Sequence, residues 1–230
     1  KLIGNNVKVL INDIDKIKWK QDIQNDIEKL EELLEYSIQV DNNRDKKLQT
    51  LKQTIETKIK NPLNGENKKV IIFTAFADTA QYLYDNISKW AKNLGVESCL
   101  ITGSGINQST LFPKERDLNT LLTHFSPISK DRAKIDSTQS KELDILIATD
   151  CISEGQNLQD CDFLINYDIH WNPVRIIQRF GRVDRLGSKN KYIQLVNFWA
   201  NIELDEYINL ESRVSGRMVL LDVSATGEEN

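Results

Sequence analysis

Between Gln178 and Arg185 the chain reads QRFGRVDR, which sets Arg179, Arg182 and Arg185 at steps of three with Gln178 beside them. A guanidinium is permanently charged and offers a planar fork of donors, so three on one short stretch suit a multiply anionic ligand such as a polyphosphate. The residues ahead of the run predict a helix that presents it. Asn172 can cap that helix, Pro173 fits its first position, and Trp171 can staple onto Ile176. At about 100° per residue, Arg175, Gln178, Arg179, Arg182 and Arg185 fall within an arc of roughly 120°. Ile176, Ile177, Phe180 and Val183 occupy the other side. The expectation is a helix with one core face and one row of guanidiniums. Asp184 falls on the apolar side of that wheel, so either the helix ends before it or its carboxylate is paired. A solvated basic helix is the plain alternative, and two upstream motifs weigh against it.

Those motifs need strands to hold them. Val70-Ile71-Ile72-Phe73, Cys99-Leu100-Ile101, Leu143 to Ala148, Phe163 to Asn166 and Tyr192 to Phe198 read as strands, the inner ones as continuous apolar runs buried on both faces. Helical patterns lie between them: Asp78 onward with Ala80, Leu83, Ile87, Trp90 and Leu94, stopped by Gly95, then Leu118, Leu121, Leu122 and Phe125. Such alternation predicts an α/β fold, a parallel sheet with right-handed crossovers and helices on both faces. Residues 126–142 read as a polar, structureless surface insertion. Ahead of the sheet, Ile23, Ile27, Leu30, Leu34 and Ile38, then Leu48, Leu51, Ile55 and Ile59, predict an α-helical hairpin broken at Asp41-Asn42-Asn43, with no strand in the first sixty residues. A coiled-coil dimer is the lesser alternative. Glu203 to Val219 reads as a further helix and Thr226 to Asn230 as a tail.

Ligands of open parallel sheets collect at the carboxyl ends of the strands. Those ends carry Thr74, Thr102-Gly103-Ser104-Gly105, Thr149-Asp150 and Tyr167-Asp168. Hydroxyls and exposed amides bind a phosphodiester backbone without reading its bases. The segment TDCISEGQNLQ, Thr149 to Gln159, follows the third of these strands. Its Gly155 allows close backbone approach, and Asn157 can donate to and accept from a sugar hydroxyl. Two absences narrow the chemistry. No GxxxxGK[ST] is present, so the chain cannot wrap a triphosphate alone, and the GxGxxG begun by Gly103 and Gly105 fails at Gln108.

Bulk properties are those of a soluble α/β protein. The chain has 230 residues, 40% of them hydrophobic, and a net charge of −4 that excludes a uniformly basic nucleic-acid coat. Charge is localised instead. Residues 175–191 carry six Lys/Arg against Asp184, a local +5, and residues 22–35 carry six acids against Lys29, a local −5. Cys99, Cys151 and Cys161 lack zinc-type spacing and read as reduced thiols; His124 and His170 are the only histidines, so no metal site is expected. There is no signal-peptide pattern and no apolar run near the ~18 residues of a membrane span, so a cytoplasmic location is expected, with no membrane partner. Lys1 stands where an initiator Met would be, and the chain is expected to be a piece of a longer protein.

Three stretches together resemble the second RecA-like lobe of a superfamily 2 helicase or translocase, a lobe of the P-loop-NTPase type. KKVIIFTAF (Lys68 to Phe76) resembles motif IV, ILIATDCISEGQNLQ (Ile145 to Gln159) motif V, and NYDIHWNPVRIIQRFGRVDRLG (Asn166 to Gly187) the approach to motif VI and the motif itself. The set SEGxNLQ, NYD, WNP and QRxGRxDRxG is most similar to the Swi/Snf-like branch, including bacterial RNA-polymerase-associated ATPases. DEAD-box RNA helicases usually hold His where this chain has Gln178. The resemblance divides the chain into a helical lobe-linking region (1–62), the C-terminal RecA-like lobe (63–200, with the 126–142 insertion) and a helical extension and tail (201–230).

By this resemblance Arg182 and Arg185 are the arginine fingers and Gln178 orders the attacking water or γ-phosphate. Glu154, Gly155 and Asn157 face the nucleotide, and Thr74, Thr102, Gly103 and Thr149 contact the nucleic-acid backbone. Arg179 is a structural partner of an acidic residue. ATP and Mg²⁺ are implied, held mainly by a first RecA-like lobe of the same parent, with duplex DNA the expected substrate and the bacterial cytosol the expected place. This chain alone, lacking Walker A and B, is expected to be inactive. An RNA-directed helicase and a non-catalytic module that keeps the fold are the competing readings.

Overall fold

Four-residue apolar runs rich in β-branched residues suit strands covered on both sides, and the computed structural model builds the molecule around them. It describes residues 2–3, 8–10, 15–41, 43–103, 105, 107–115, 117–135, 140–152, 155–169, 173–185 and 187–199. The expected cap and staple at Asn172 and Trp171, nucleotide contact at Glu154, helix over 203–219 and C-terminal tail lie outside these residues. Contacts divide the chain between Gln49 and Thr50.

In the first unit, β1 (Leu2–Ile3) and β2 (Val9–Leu10) pair antiparallel. This corrects the expectation of no strand there: two-residue strands are too short to leave an alternating pattern. Next comes α1 (Lys16–Ile38), capped by the Asp15 carboxylate, which accepts from Ile17 N at 3.1 Å and Lys18 N at 3.0 Å. Its predicted stripe, Ile23, Ile27, Leu30, Leu34 and Ile38, is exposed. The helix α2 (Lys46–Lys60) begins after the Asp41 carboxylate has taken up Asn43 N and Arg44 N in a tight turn, the expected break.

Within the second unit, Leu51, Ile55 and Ile59 of α2 are buried. A six-stranded sheet follows from β3 (Val70–Phe73), β4 (Ser98–Ile101), β5 (Gln108–Ser109), β6 (Ile145–Ala148), β7 (Phe163–Asn166) and β8 (Gln194–Asn197). The order is β5-β4-β6-β3-β7-β8, parallel throughout except that β5 runs against β4. The helices are α3 (Ala77–Asn93), α4 (Leu118–Phe125), α5 (Arg132–Ile135) and α6 (Pro173–Phe180). Gly95 ends α3 at φ +77, a conformation that strains a side-chain-bearing residue.

Alternation along the strands sorts the core into two faces. Ile71, Phe73, Cys99, Ile101, Leu146, Ala148 and Leu164 pack with Leu121, Leu122 and Phe125 of α4 and with Ile152, Leu158 and Val183. The alternate residues face the other side, where α3 packs on β4 and β6 and Lys52 of α2 lies 5.9 Å from the Trp90 ring of α3. A buried ion pair fixes α2 to the start of β7: Lys58 Nζ sits 2.6 Å from Asp162 Oδ1, both side chains fully covered. Cys99 and Cys161 are buried and Cys151 is exposed, all as free thiols, and burial pushes the Cys161 thiol up to about 12.

Of the 126–142 segment, the described residues 126–135 and 140–142 are not the structureless insertion the sequence implied. Ser126 is fully buried, and α5 forms one helical turn. Arg132 donates to Lys141 O at 3.2 Å, and Glu142 pairs with Lys69 at 2.8 Å. Polar composition misled here because the segment's polar groups are used internally. No described helix is long and apolar enough to cross a membrane.

Candidate nucleotide and nucleic-acid interface

The registers Phe73↔Ala148, Ile101↔Ala148 and Phe73↔Asn166 bring four strand ends to one rim. The ladder continues one residue past them: Thr74 N donates to Ala148 O (3.0 Å), Thr149 N to Ile101 O (3.2 Å) and Tyr167 N to Phe73 O (2.8 Å). Thr102, Thr149, Thr74 and Tyr167 therefore stand side by side. The connection leaving β3 crosses to the face of α3, whereas the connection leaving β6 carries Ile152 and Leu158 into the α4 face. Adjacent strands whose connections part in this way open a crevice at their carboxyl ends, the usual place for a ligand in such sheets. Thr74 and Thr149 flank it.

These threonines are not a row of free hydroxyls. Thr74 is fully buried and its Oγ1 donates to Asp168 Oδ2, while Asp168 also accepts from Ala75 N at 3.3 Å. Thr102 and Thr149 are largely covered as well, Thr149 Oγ1 lying 3.4 Å from Cys151 Sγ. Gly103 is exposed, and a Cβ there would meet Cys151 Cβ at 3.6 Å, ordinary contact.

Beneath the rim lies a buried arginine. Arg179 is 0% exposed and grips Asp150 through two parallel bonds, Nε to Oδ1 at 2.7 Å and Nη2 to Oδ2 at 3.0 Å. Its Nη1 reaches Asn166 Oδ1 at 2.9 Å and Asp168 O at 3.2 Å, and the guanidinium lies 5.1 Å from the Phe73 ring centroid. One side chain thus ties the ends of β6 and β7 to α6, with its charge met by a carboxylate. The sequence anticipated an acidic partner for Arg179 without identifying Asp150. Its signal was present in the polar strand-end pair Thr149-Asp150.

The single comb of arginines is corrected by this geometry. The helix α6 ends at Phe180 with Gly181 N still bonded to Ile177 O (2.9 Å), and beyond it the bonds are mixed: Arg182 N to Arg179 O (3.1 Å) and Val183 N to Phe180 O (3.0 Å) span three residues, Asp184 N to Phe180 O (3.0 Å) four. A wheel drawn at 100° per residue stops applying there. Arg179 turns inward, Arg182 is half-buried and Arg185 is exposed, its Nε donating to Gly181 O at 3.1 Å. The early end of the helix also settles Asp184, which is exposed rather than set into the core.

The segment after β6 is fastened to this turn, since Leu158 N donates to Arg182 O at 3.0 Å. Gly155 takes φ +72, which a side-chain-bearing residue rarely adopts, and lets the chain reverse ahead of Asn157. Among the described residues, two buried amide oxygens, Asn157 Oδ1 and Gln178 Oε1, have no hydrogen-bond partner. An orphaned buried acceptor is uncommon and calls for a donor. A sugar hydroxyl or a held water is such a donor, so both residues fit the nucleotide that the motifs imply. No group of three or more His, Cys, Asp or Glu among the described residues is placed to hold a metal ion.

The family described as "Helicase conserved C-terminal domain" matches residues 46–187. The chain is 42% identical over 67 residues to the uncharacterized ATP-dependent helicase YqhH of Bacillus subtilis, covering 29% of this chain and 12% of that protein. It is 28% identical over 183 residues to the probable ATP-dependent RNA helicase ddx51 of Dictyostelium discoideum, covering 79% of this chain and 28% of that protein. It thus spans well under a third of either relative. Among solved structures, the C-terminal part of the Fun30 ATPase domain superposes with a TM-score of 0.51 at 20% identity, over 76% of this chain and 48% of that one, a likeness of fold. With the segments after β6 and around α6 joined at one rim of a mostly parallel sheet, the chain belongs to the helicase conserved C-terminal domain family, and its sheet has the fold of a C-terminal RecA-like lobe.

Proposed function

We propose that this chain is the second motor lobe of an ATP-dependent nucleic-acid translocase of the Swi/Snf-like branch, acting on duplex DNA. A first RecA-like lobe of the same parent holds ATP and Mg²⁺. Closure of the two lobes brings Arg182 and Arg185 to the charge that develops on the transferred phosphoryl group, with Gln178 ordering the water. Glu154, Gly155 and Asn157 meet the nucleotide. The rim at Thr74, Thr102, Gly103 and Thr149 holds the phosphodiester backbone, through backbone amides and Gly103 where the hydroxyls are committed inward. The observation that carries this reading is the division of labour within one motif. Arg179 is locked beneath the rim by Asp150, while Arg182 and Arg185 follow on a turn that is tied to Asn157's neighbour.

Grip through phosphates makes binding sequence-independent and salt-sensitive. A specific observation favours a second reading, an RNA-directed helicase: a relative named as an RNA helicase aligns over 79% of this chain. ATPase assays of the full-length protein with duplex DNA, single-stranded DNA and RNA separate the two. The first reading expects the largest stimulation by duplex DNA; stimulation by RNA alone replaces it with the second. Purified residues 1–230 should hydrolyse no ATP, and metal-dependent turnover by that fragment would overturn the lobe assignment.

A further inference from the structure

The turn between α4 and α5 makes contacts that its sequence does not advertise. Asp160 accepts from Ile128 N at 2.6 Å and from Ser129 N at 2.9 Å, so one carboxylate holds the turn by two amides. Ser129 Oγ reaches Asn157 O at 3.3 Å, and Lys130 Nζ donates to Gln156 Oε1 at 2.7 Å. The turn itself is defined: Lys130 N bonds Ser126 O at 3.1 Å, Arg132 N bonds Pro127 O at 2.9 Å, and Asp131 takes φ 51, a left-handed conformation that Asp tolerates better than most residues. On its far side the 156–158 stretch bonds the Arg182 carbonyl. A support therefore runs from 128–130, through Gln156 and Asn157, to the arginine turn.

Lys130 stands out within this support. Its ammonium is partly withdrawn from water, which lowers its pKa, and its hydrogen-bond partner is a neutral amide. A half-buried cation costs desolvation, and here it lies at the tip of the turn, beyond the buried Ser126 and Pro127. What it does is fix the Gln156 side chain, one residue from the orphaned Asn157 Oδ1.

We propose that Lys130 is a positioning residue for the nucleotide-facing turn: by holding Gln156 it sets the orientation of Asn157, with Ser129 and Asp160 as accessory supports. The inference rests on the reading of that turn as a nucleotide contact. A sugar contact is made equally before and during phosphoryl transfer, so its loss appears in KM and not in kcat.

The test is ATP titration of stimulated ATPase in the full-length protein, with thermal unfolding of each variant. Lys130→Met should raise KM for ATP about fivefold, the worth of one hydrogen bond, with kcat and the unfolding midpoint unchanged. Lys130→Arg, which keeps charge and donors, should bring KM back to near wild type, and Ser129→Ala should shift KM in the same direction by less. An unchanged KM in Lys130→Met, equal impairment in Lys130→Arg, or a fall in kcat together with the unfolding midpoint would each overturn the proposal. Arg185→Ala run alongside separates the two levels: if it keeps wild-type turnover, the arginine-finger assignment in the proposed function fails, whatever Lys130 does.

Discussion

Arg179 and Arg185 are six residues apart in one motif, carry the same side chain, and live in opposite environments. Arg179 lies under the sheet rim with its charge matched by Asp150, whose side chain is itself only 25% exposed, and with Asn166 and the Asp168 carbonyl filling further donors. Arg185 is exposed beyond the end of α6, its Nε on a backbone carbonyl. Removing one partner of a buried pair strands the other charge without solvent, whereas trimming an exposed guanidinium strands nothing. The same chemical group is therefore an anchor in one half of the motif and available for an outside anion in the other. Identity and spacing of arginines do not assign their roles; burial and partners do.

The largest effect should come from the outer half of the motif, the half-buried Arg182 and the exposed Arg185. Arg185→Ala and Arg182→Ala in the full-length protein should each lower stimulated ATPase by about 10³ or more, the usual contribution of an arginine finger. Their unfolding midpoints and salt-dependent nucleic-acid binding should stay near wild type. Wild-type turnover in either variant removes that residue from the site, and a large loss of stability would place it with Arg179.

Next in size is the buried half. Arg179→Ala should lower the unfolding free energy by about 3–5 kcal/mol, because Asp150 loses its two bonds and stays partly covered. Denaturant titration of purified residues 1–230 measures it without any need for activity. If Arg179→Ala unfolds like wild type, the contrast between the two halves is wrong, and the motif is better treated as three equivalent arginines.

Most of this architecture was legible in the sequence because its cause was local. The runs VIIF, CLI, LDILIA and FLIN mark strands at or within two residues of those observed, since short apolar runs bounded by polar residues and glycines suit a sheet buried on both faces. The site was legible as a set of motifs and illegible as geometry. The wheel through Arg185 assumed one helix, but α6 stops at Phe180 and the bonds from Arg182 N and Val183 N close after three residues. The inward turn of Thr74 and Arg179 depends on Asp168 and Asp150, partners 94 and 29 residues away, which periodicity cannot see. The turn at 128–130 was read as loose because its polar residues look solvated, and its Asp160 anchor lies some thirty residues on.

A third test asks whether the anchoring behaviour of Arg179 is general for buried charge in this lobe. Lys58 and Asp162 form a pair with both side chains fully covered, and Asp162 Oδ2 also accepts from Asn64 Nδ2 at 2.8 Å. With that second donor left in place, Lys58→Met should cost about 3 kcal/mol, the lower end of the range for breaking a buried pair. The double variant Lys58→Met/Asp162→Leu should recover much of the loss, since it leaves no uncompensated carboxylate. Denaturant titration of both checks this; a single variant as stable as wild type would show that the Asn64 bond alone suffices.

The smallest effect probes the converse rule, that exposure implies freedom to act elsewhere. Asp117 is exposed, yet it caps α4, its Oδ2 accepting from Thr120 N at 2.8 Å and Thr120 Oγ1 at 3.0 Å. Those bonds, the backbone one first, hold its carboxyl below the usual carboxylate pKa. Asp117→Ala should cost about 1 kcal/mol at neutral pH, and Asp117→Asn, also a good cap, much less. Because the folded-state pKa is depressed, the ionised cap stabilises α4 above the unfolded value near ~3.9 and loses that contribution as pH falls through the lower folded value. Stability of wild type and Asp117→Ala, compared from pH 7 downward, should therefore converge in that acid range. A gap that persists to the lowest pH would mean that the aspartate acts through shape instead of charge, and that an exposed carboxylate in this lobe can be structural without being ionised.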